Sequence, residues 1–540
     1  MTQKFRILVT DGVSTRGVSV LQAVEQFEVE TSKNLSENDL IAKIAGFDAL
    51  VVRSQTKVTR AVFDAASRLK VIGRAGVGVD NVDVDAATEK GIVVLNTPGG
   101  STISTAEHTF SMILALARNI PQAHQSMKEG KWDRKQFQGI ELHNKTLGVL
   151  GMGRIGTEVA RRAFAFGMRV LAYDPYLSAT RARGLQVELF EKLDEMLPHC
   201  DFITLHMPMT KETKGILNRR TLALCKPSVR IINCARGGLV EEAALEEAIK
   251  NGKAAGAALD VFEQEPPPED FGLRKLPQVI MVPHLGASTS EAQENVGIEV
   301  AEAIRDMLLN GTIRNAVNMP NVDAKTLAIL RPYLELGAKI GKMLAQITPC
   351  RCEHLTVSYC GKIGDYDATP VTRAILKGFL RQAGGVDVNE VNVPKFAANL
   401  GLKFSEVKQS ESENYSELIS VKAQVVCDKN NGAAPEGLTQ ISGTFFGDSP
   451  RIVRVNNYVL DALPEGILLM MENKDCPGIV GRIGTLLGKE QVNIGNMTLS
   501  RYAPGSKALC VLNLDAMPSS EVLEKIRQDQ SIFSVQTVQF

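Results

Sequence analysis

Apolar runs of strand length, each closed by a turn or a polar residue, recur through the first half of the chain. They read FRILVTD, FDALVVRS, LKVIGRAG, GIVVLNTPGG, KTLGVLGMG, RVLAYDP, DFITLHMP, RIINCARGG, AGAALDVFEQEPP and VIMVPHLGAST. None shows period-two alternation, as expected of strands covered on both faces. Helical stretches separate them, near 18–26, over 104–117 and in TEVARRAFAFG. Strands that alternate with helices predict parallel sheets of the α/β class. An amphipathic helix is predicted over 291–309, and NAVNMPNVD then supplies linker chemistry at 315–323. From 323 to 456 helix and strand mix without a glycine-rich loop, and DKNNGAAPEG predicts an exposed turn. The final stretch, beginning EGILLMMENKDCPGIVGRIGTLL, reads βαββαβ.

At 540 residues the chain is long enough for three or four domains. Lys+Arg and Asp+Glu both number 61, so no nucleic-acid partner is advertised by net charge. No segment reaches the roughly 18 uncharged apolar residues of a membrane span, and no basic stretch precedes a long apolar one at the N-terminus. A cytoplasmic protein with no membrane partner is expected. The nine cysteines form no CxxC pair and no zinc-type Cys/His spacing, which predicts reduced thiols and no metal site.

Candidate chemistry begins at Gly151-Met-Gly153-Arg-Ile-Gly156, which follows the strand TLGVL and opens a helix. The first glycine allows the tight turn, the second lets backbone approach a pyrophosphate, and the third lets helix pack on strand. Asp174 closes the next strand 18 residues past Gly156 (174 − 156), where a carboxylate accepts ribose hydroxyls and favours NAD over NADP. Arg181 and Arg183 further on would tolerate a 2′-phosphate.

Ligands of open α/β sheets bind beyond the carboxyl ends of the strands. Three successive predicted strands deliver Arg236, then Asp260 with Glu265, then His284. Oxidising a secondary alcohol needs a base for the hydroxyl proton, and imidazole suits that work. His284 is read as the base, Glu265 as the carboxylate that fixes its tautomer, and Arg236 as a clamp for a substrate carboxylate. Of the seven histidines, His108, His124, His143, His199 and His354 are read as structural or surface residues. His206, which also ends a strand, is the rival base.

NCARGG (233–238), DVFEQEPP (260–267) and PHLGAST (283–289), behind GMGRIG, resemble the D-isomer-specific 2-hydroxyacid dehydrogenase family. With VRS (52–54), GRAGVGVDNVD (73–83) and LNTPGGST (95–102), the whole chain resembles the family's long-form branch, which oxidises D-3-phosphoglycerate with NAD. The resemblance implies a split substrate-binding domain (1–97 plus 287–317) with an inserted Rossmann-type NAD domain (98–286). An α+β intervening regulatory domain (318–456) and a ferredoxin-like ACT domain (466–540) follow. It gives Arg236, Glu265 and His284 the roles derived above. Cofactor contacts are implied around Val77, Arg154, Ile155, Asp174, Met207, Cys234, Asp260, Gly286 and Ala287. Val77 replaces the threonine common there, so no side-chain contact is expected from it.

A phosphate on the substrate needs further cations, which Arg53 and Arg74 supply, and Asn96 and the Gly99-Gly100 amides would add neutral donors. Trp132-Asp-Arg134-Lys135 lies where family members reach the partner subunit's site, implying a homodimer or homotetramer. In related ACT domains L-serine binds at a dimer interface. Asn493 matches a contacting asparagine there, whereas Asn473 and Asp475 replace the histidine and asparagine of serine-sensing relatives. Serine control and an assembly module that has lost its effector both stay open. Other D-2-hydroxyacid dehydrogenases also stay open, as does an NAD-sensing binding protein, although that would not need the phosphate-side arginines. The intervening region would bind substrate or another anion.

Overall fold

The computed structural model describes residues 4–33, 35–381, 388–409, 414–426, 436–501 and 503–540. Most of the turn expected at DKNNGAAPEG falls outside them. Twelve parallel strands form two sheets. The first takes β1 (Phe5–Val9), β2 (Phe27–Thr31), β3 (Ala49–Val52), β4 (Val71–Arg74) and β5 (Val93–Leu95) in the order β2-β1-β3-β4-β5. The second takes β6 (Thr146–Leu150), β7 (Arg169–Tyr173), β8 (Glu188–Phe190), β9 (Phe202–Leu205), β10 (Arg230–Asn233), β11 (Gly256–Leu259) and β12 (Val279–Met281) in the order β12-β11-β10-β9-β6-β7-β8. Each order reverses once, between β1 and β3 and between β6 and β9, which opens a crevice at the strand ends.

Both faces of each sheet are covered, which is why the strands read as unbroken apolar runs. Ile7 and Val9 of β1 pack with Val296, Val300 and Ile304, while Leu8 points to the opposite cluster with Leu40, Ile44 and Phe63. The first of these partners come from the Ser290–Asn310 helix, so chain beyond the second sheet returns to cover the first. The Thr15–Gln22 helix crosses that return helix closely: a Cβ on Gly17 would stand 2.5 Å from the Gly297 backbone. This N-terminal helix starts earlier than the predicted 18–26, because Ser14 caps it by accepting the Gly17 N–H. The helices predicted over 104–117 and 291–309 occur as Thr102–Arg118 and Ser290–Asn310.

The Ala324–Ile347 helix opens the second half and packs on a mixed sheet of order β14-β13-β15-β16-β17-β18. Its strands are β13 (Arg351–Cys360), β14 (Lys403–Gln409), β15 (Leu418–Val426), β16 (Glu436–Phe446), β17 (Ser449–Val455) and β18 (Tyr458–Ala462). The last unit is βαββαβ as predicted: β19 (Ile467–Lys474), β20 (Ile494–Arg501), β21 (Lys507–Leu514) and β22 (Ile532–Gln539) form an antiparallel sheet of order β20-β21-β19-β22. Leu469, Met471 and Leu512 face its own helices, whereas Leu468, Met470, Val511 and Val538 join the core of the preceding unit. The two C-terminal units thus share one hydrophobic cluster. Among the described residues no helix is long and apolar enough to cross a membrane. Cys350 is disulfide-bonded, against the expectation of reduced thiols throughout, while Cys200, Cys225, Cys234, Cys352, Cys360, Cys476 and Cys510 are free.

Candidate active site

The glycine loop between β6 and the Arg154–Ala165 helix has the form a dinucleotide requires. Gly151 sits at φ +96°, and a Cβ there would be 2.4 Å from the His206 carbonyl oxygen after β9. A Cβ on Gly156 would be 2.1 Å from the Gly151 oxygen, whereas a Cβ on Gly153 would meet nothing within 4 Å. The two outer glycines therefore serve protein packing, and the middle one faces open space at the helix N-terminus, where a pyrophosphate is favoured. Asp174, just past β7, accepts the Met152 N–H at 2.8 Å and the Tyr176 N–H at 2.9 Å, which fixes its carboxylate beside the loop. These residues fit NAD. Arg154 Nη1 borders Gly99, and Ile155 packs against the core of this domain. Met207 is partly buried behind His206.

The ends of β10, β11 and β12 bring the predicted reacting groups together. His284 Nδ1 lies 2.9 Å from Glu265 Oε2, and Glu265 Oε1 accepts the Phe262 N–H at 3.1 Å. With Nδ1 on the carboxylate, Nε2 is the ring nitrogen left for a substrate hydroxyl. His284 has φ +54°, a left-handed conformation strained for a non-glycine residue. Asp260 holds it there. Its carbonyl accepts the His284 N–H at 3.0 Å, and its fully buried carboxylate accepts the Leu285 and Gly286 N–H groups at 2.6 and 2.9 Å. Ala287, one residue further, is exposed.

His206 does not have these attributes. Among the described residues its ring bonds Thr204 Oγ1, at 2.9 Å, its Nδ1 is buried without a partner, and desolvation lowers its pKa to about 3. An imidazole in that state does not accept a proton at neutral pH, which removes it as the rival base.

Three arginines converge from the first sheet and β10. Arg74, at the end of β4, is lowered to about 10 by burial and by the charges of Arg236 and Arg53, partly offset by Asp80 and Asp11. Its Nε is buried without a partner. The Arg236 guanidinium lies over Gly78, where a Cβ would touch Nη2 at 2.1 Å, with Nε 3.3 Å from Asp80 and Nη1 on the Ala235 carbonyl at 2.6 Å. Arg53 lines a cavity of about 290 Å³ with Lys33, Gly12 and Ser54, at the reversal point between β1 and β3.

Other predicted contacts are arranged differently. Asn96 donates one Nδ2 hydrogen to the Val77 carbonyl at 2.6 Å, which braces that loop and leaves the second amide hydrogen for a ligand. Gly100 is needed for packing, since a Cβ would lie 2.8 Å from Val296 N. In the C-terminal unit Asp475 accepts Arg501 Nη1 at 2.8 Å and the Gly505 N–H at 2.9 Å, which lower its pKa. Asn493 donates to Asp515 at 2.9 Å. Asn473 is buried, donates to the Lys474 carbonyl, and keeps Oδ1 without a partner at the wall of an apolar cavity of about 70 Å³.

Sequence reasoning missed Lys33, which follows β2 with no motif around it. It also set His108 aside as structural, yet His108 Nε2 lies 3.3 Å from Asp260 Oδ1, and His108, Cys234 and Asp260 bring donor atoms within 4.8 Å of one another. Spacing held a signal: Thr105, His108 and Thr109 form a polar i, i+3, i+4 strip beside the buried Ala106, Phe110, Ile113 and Leu116 of the same helix.

A dinucleotide loop at one reversal point, a histidine-carboxylate pair at the strand ends and a cluster of three arginines define a dehydrogenase of small anionic hydroxyacids. Comparisons with known proteins agree. A family model for the D-isomer specific 2-hydroxyacid dehydrogenase NAD binding domain matches residues 110–286, and one for the D-3-phosphoglycerate dehydrogenase intervening domain matches 329–456. The D-3-phosphoglycerate dehydrogenase of Methanocaldococcus jannaschii is 44% identical over 533 residues, covering 99% of both chains. That of Bacillus subtilis is 42% identical over 534 residues, again covering 99% of both. A glyoxylate reductase crystal structure from Paecilomyes thermophila superposes with a TM-score of 0.54 at 30% identity, over 59% of this chain and 99% of that one. The chain belongs to the D-3-phosphoglycerate dehydrogenase family.

Proposed function

We propose that the chain oxidises D-3-phosphoglycerate to 3-phosphohydroxypyruvate with NAD, the first step of L-serine biosynthesis, through His284 acting as the base. The observation that carries this reading is the 2.9 Å His284–Glu265 contact, accompanied by the mutual clustering of Arg53, Arg74 and Arg236. NAD held by Gly151, Gly153, Arg154, Gly156 and Asp174 supplies the hydride acceptor. His284 Nε2 takes the hydroxyl proton, and Glu265 stabilises the imidazolium that results. Arg236 binds the substrate carboxylate, exchanging Asp80 for it, while Arg53, Arg74 and Lys33 bind the phosphate. Four cationic side chains against a carboxylate and a dianionic phosphate favour this substrate over lactate or glycerate.

The division of labour follows the sheets. Residues 1–97 with 287–317 hold the substrate, 98–286 hold NAD, and 318–456 and 466–540 regulate. Ile120 and Met127 are exposed along one groove, Trp132 is exposed a few residues further along the chain, and these apolar side chains support a homodimer or homotetramer built on that face. L-serine is the effector we assign to the C-terminal unit, with Asn473 Oδ1 the free acceptor and Asp475 and Asn493 closing flanking loops. We place the enzyme in the cytoplasm. Loss of NADH absorbance on adding 3-phosphohydroxypyruvate, repeated with serine present, tests the reading. Absence of turnover overturns the activity, and unchanged turnover with serine overturns the effector.

A further inference from the structure

The buried side of the Thr102–Arg118 helix is mostly apolar, through Ala106, Phe110, Ile113 and Leu116. Its polar strip meets the strand ends. Thr105 Oγ1 donates to the Gly286 carbonyl at 3.2 Å, the Thr109 hydroxyl is hydrogen-bonded to the Cys234 side chain, and His108 Nε2 lies 3.3 Å from Asp260 Oδ1. A fully buried carboxylate is unfavourable unless hydrogen-bonded and compensated in charge. Backbone N–H groups of Leu285 and Gly286 satisfy the oxygens of Asp260. Among the described residues, His108 is the one nitrogen-bearing side chain within ion-pair distance of that carboxylate, its Nε2 3.3 Å from Oδ1. His108 Nε2 is itself buried with no hydrogen-bond partner. Because both Asp260 oxygens already accept N–H donors, the His108–Cys234–Asp260 cluster is better built to relay position than to cage a cation.

We propose that His108 is a positioning residue for proton transfer at His284. By placing its polar Nε2 3.3 Å from Asp260 Oδ1, it keeps that carboxylate on the Leu285 and Gly286 N–H groups, and so keeps His284 in its left-handed conformation with the ring on Glu265. This rests on the reading of His284 as the base.

The test compares His108→Leu, which suits the helix's buried apolar side but lacks an N–H, with His108→Gln, which retains one. In the full chain, His108→Leu lowers kcat by about 10-fold or more, with the KM for 3-phosphohydroxypyruvate and the NADH dissociation constant within about 3-fold. Amide hydrogen exchange at Leu285 and Gly286 accelerates in the same variant, and His108→Gln recovers both kcat and protection. Wild-type kcat in His108→Leu, unchanged exchange at Leu285 and Gly286, or equal behaviour of Leu and Gln overturns the proposal. So does a loss confined to NADH affinity, which would make His108 a cofactor contact. High activity in His284→Ala would instead overturn the base assignment, and the exchange measurement would still judge His108.

Discussion

Glu265 holds His284 by one carboxylate oxygen and its own loop by the other: Oε2 is 2.9 Å from the imidazole Nδ1, while Oε1 accepts the Phe262 N–H at 3.1 Å. The carboxylate is thus anchored before it orients the ring, and Nε2 is presented to the crevice. Replacing Glu265 by Gln preserves shape but removes the charge that stabilises an imidazolium, and should lower kcat by about 10-fold to 100-fold with little change in KM. His284→Ala should lower kcat by about 100-fold or more while NADH still binds. Steady-state kinetics with fluorescence titration of NADH check both.

Arg74 gives an electrostatic signature. Burial and the neighbouring Arg236 and Arg53 oppose its charge, so an anion bound against it relieves that repulsion. Arg74→Gln should raise the KM for 3-phosphohydroxypyruvate by about 10-fold or more with little change in kcat. Raising the salt concentration should raise KM in the wild type and do so less in Arg74→Gln. Steady-state kinetics of both proteins at two salt concentrations decide it.

Gly153 and Gly156 should fail differently. A Cβ at Gly156 meets the Gly151 oxygen at 2.1 Å, so Gly156→Ala should destabilise the fold by about 1–3 kcal/mol. A Cβ at Gly153 meets no protein atom within 4 Å, so Gly153→Ala should keep its melting temperature and weaken NADH by about 10-fold or more. Thermal unfolding paired with NADH titration separates the two.

His206 predicts an acid-labile component of stability. Its folded pKa of about 3 is below the ordinary 6.5, so the unfolded chain binds the extra proton as pH falls through 6.5. The stabilisation is fully present above 6.5 and is lost progressively towards 3, by on the order of 1 kcal/mol per pH unit. His206→Asn should flatten the dependence of unfolding free energy on pH between those values. Denaturant titrations over that range check the slope.

Much of this was legible because strand-end chemistry lies next to strand-shaped sequence. The runs before Gly151, Arg236, Asp260 and His284 mark both the sheet and the residues it delivers. Asp174 and Glu265 were legible through spacing and a neighbouring motif. What stayed hidden depends on contacts distant in sequence. Lys33 reaches the Arg53 cavity only because β2 lies beside β1. That the Val77 carbonyl, 19 residues earlier, orients Asn96 by taking one of its two amide hydrogens is likewise a contact no motif contains. Asp475 and Asn493 are engaged by Arg501, Gly505 and Asp515, pairings that motif matching does not contain. The common core of the last two units was invisible for the same reason, since alternate residues of β19 face opposite layers.

The most direct test of the central claim is the ratio of kcat/KM for 3-phosphohydroxypyruvate to that for hydroxypyruvate, with NADH as reductant. A reaction that places its phosphate on Arg53 and Arg74 should favour the phosphorylated substrate by about 100-fold or more, and the ratio should collapse when both arginines become Ala. Equal kcat/KM for the two substrates, or a preference that survives the double substitution, would contradict it.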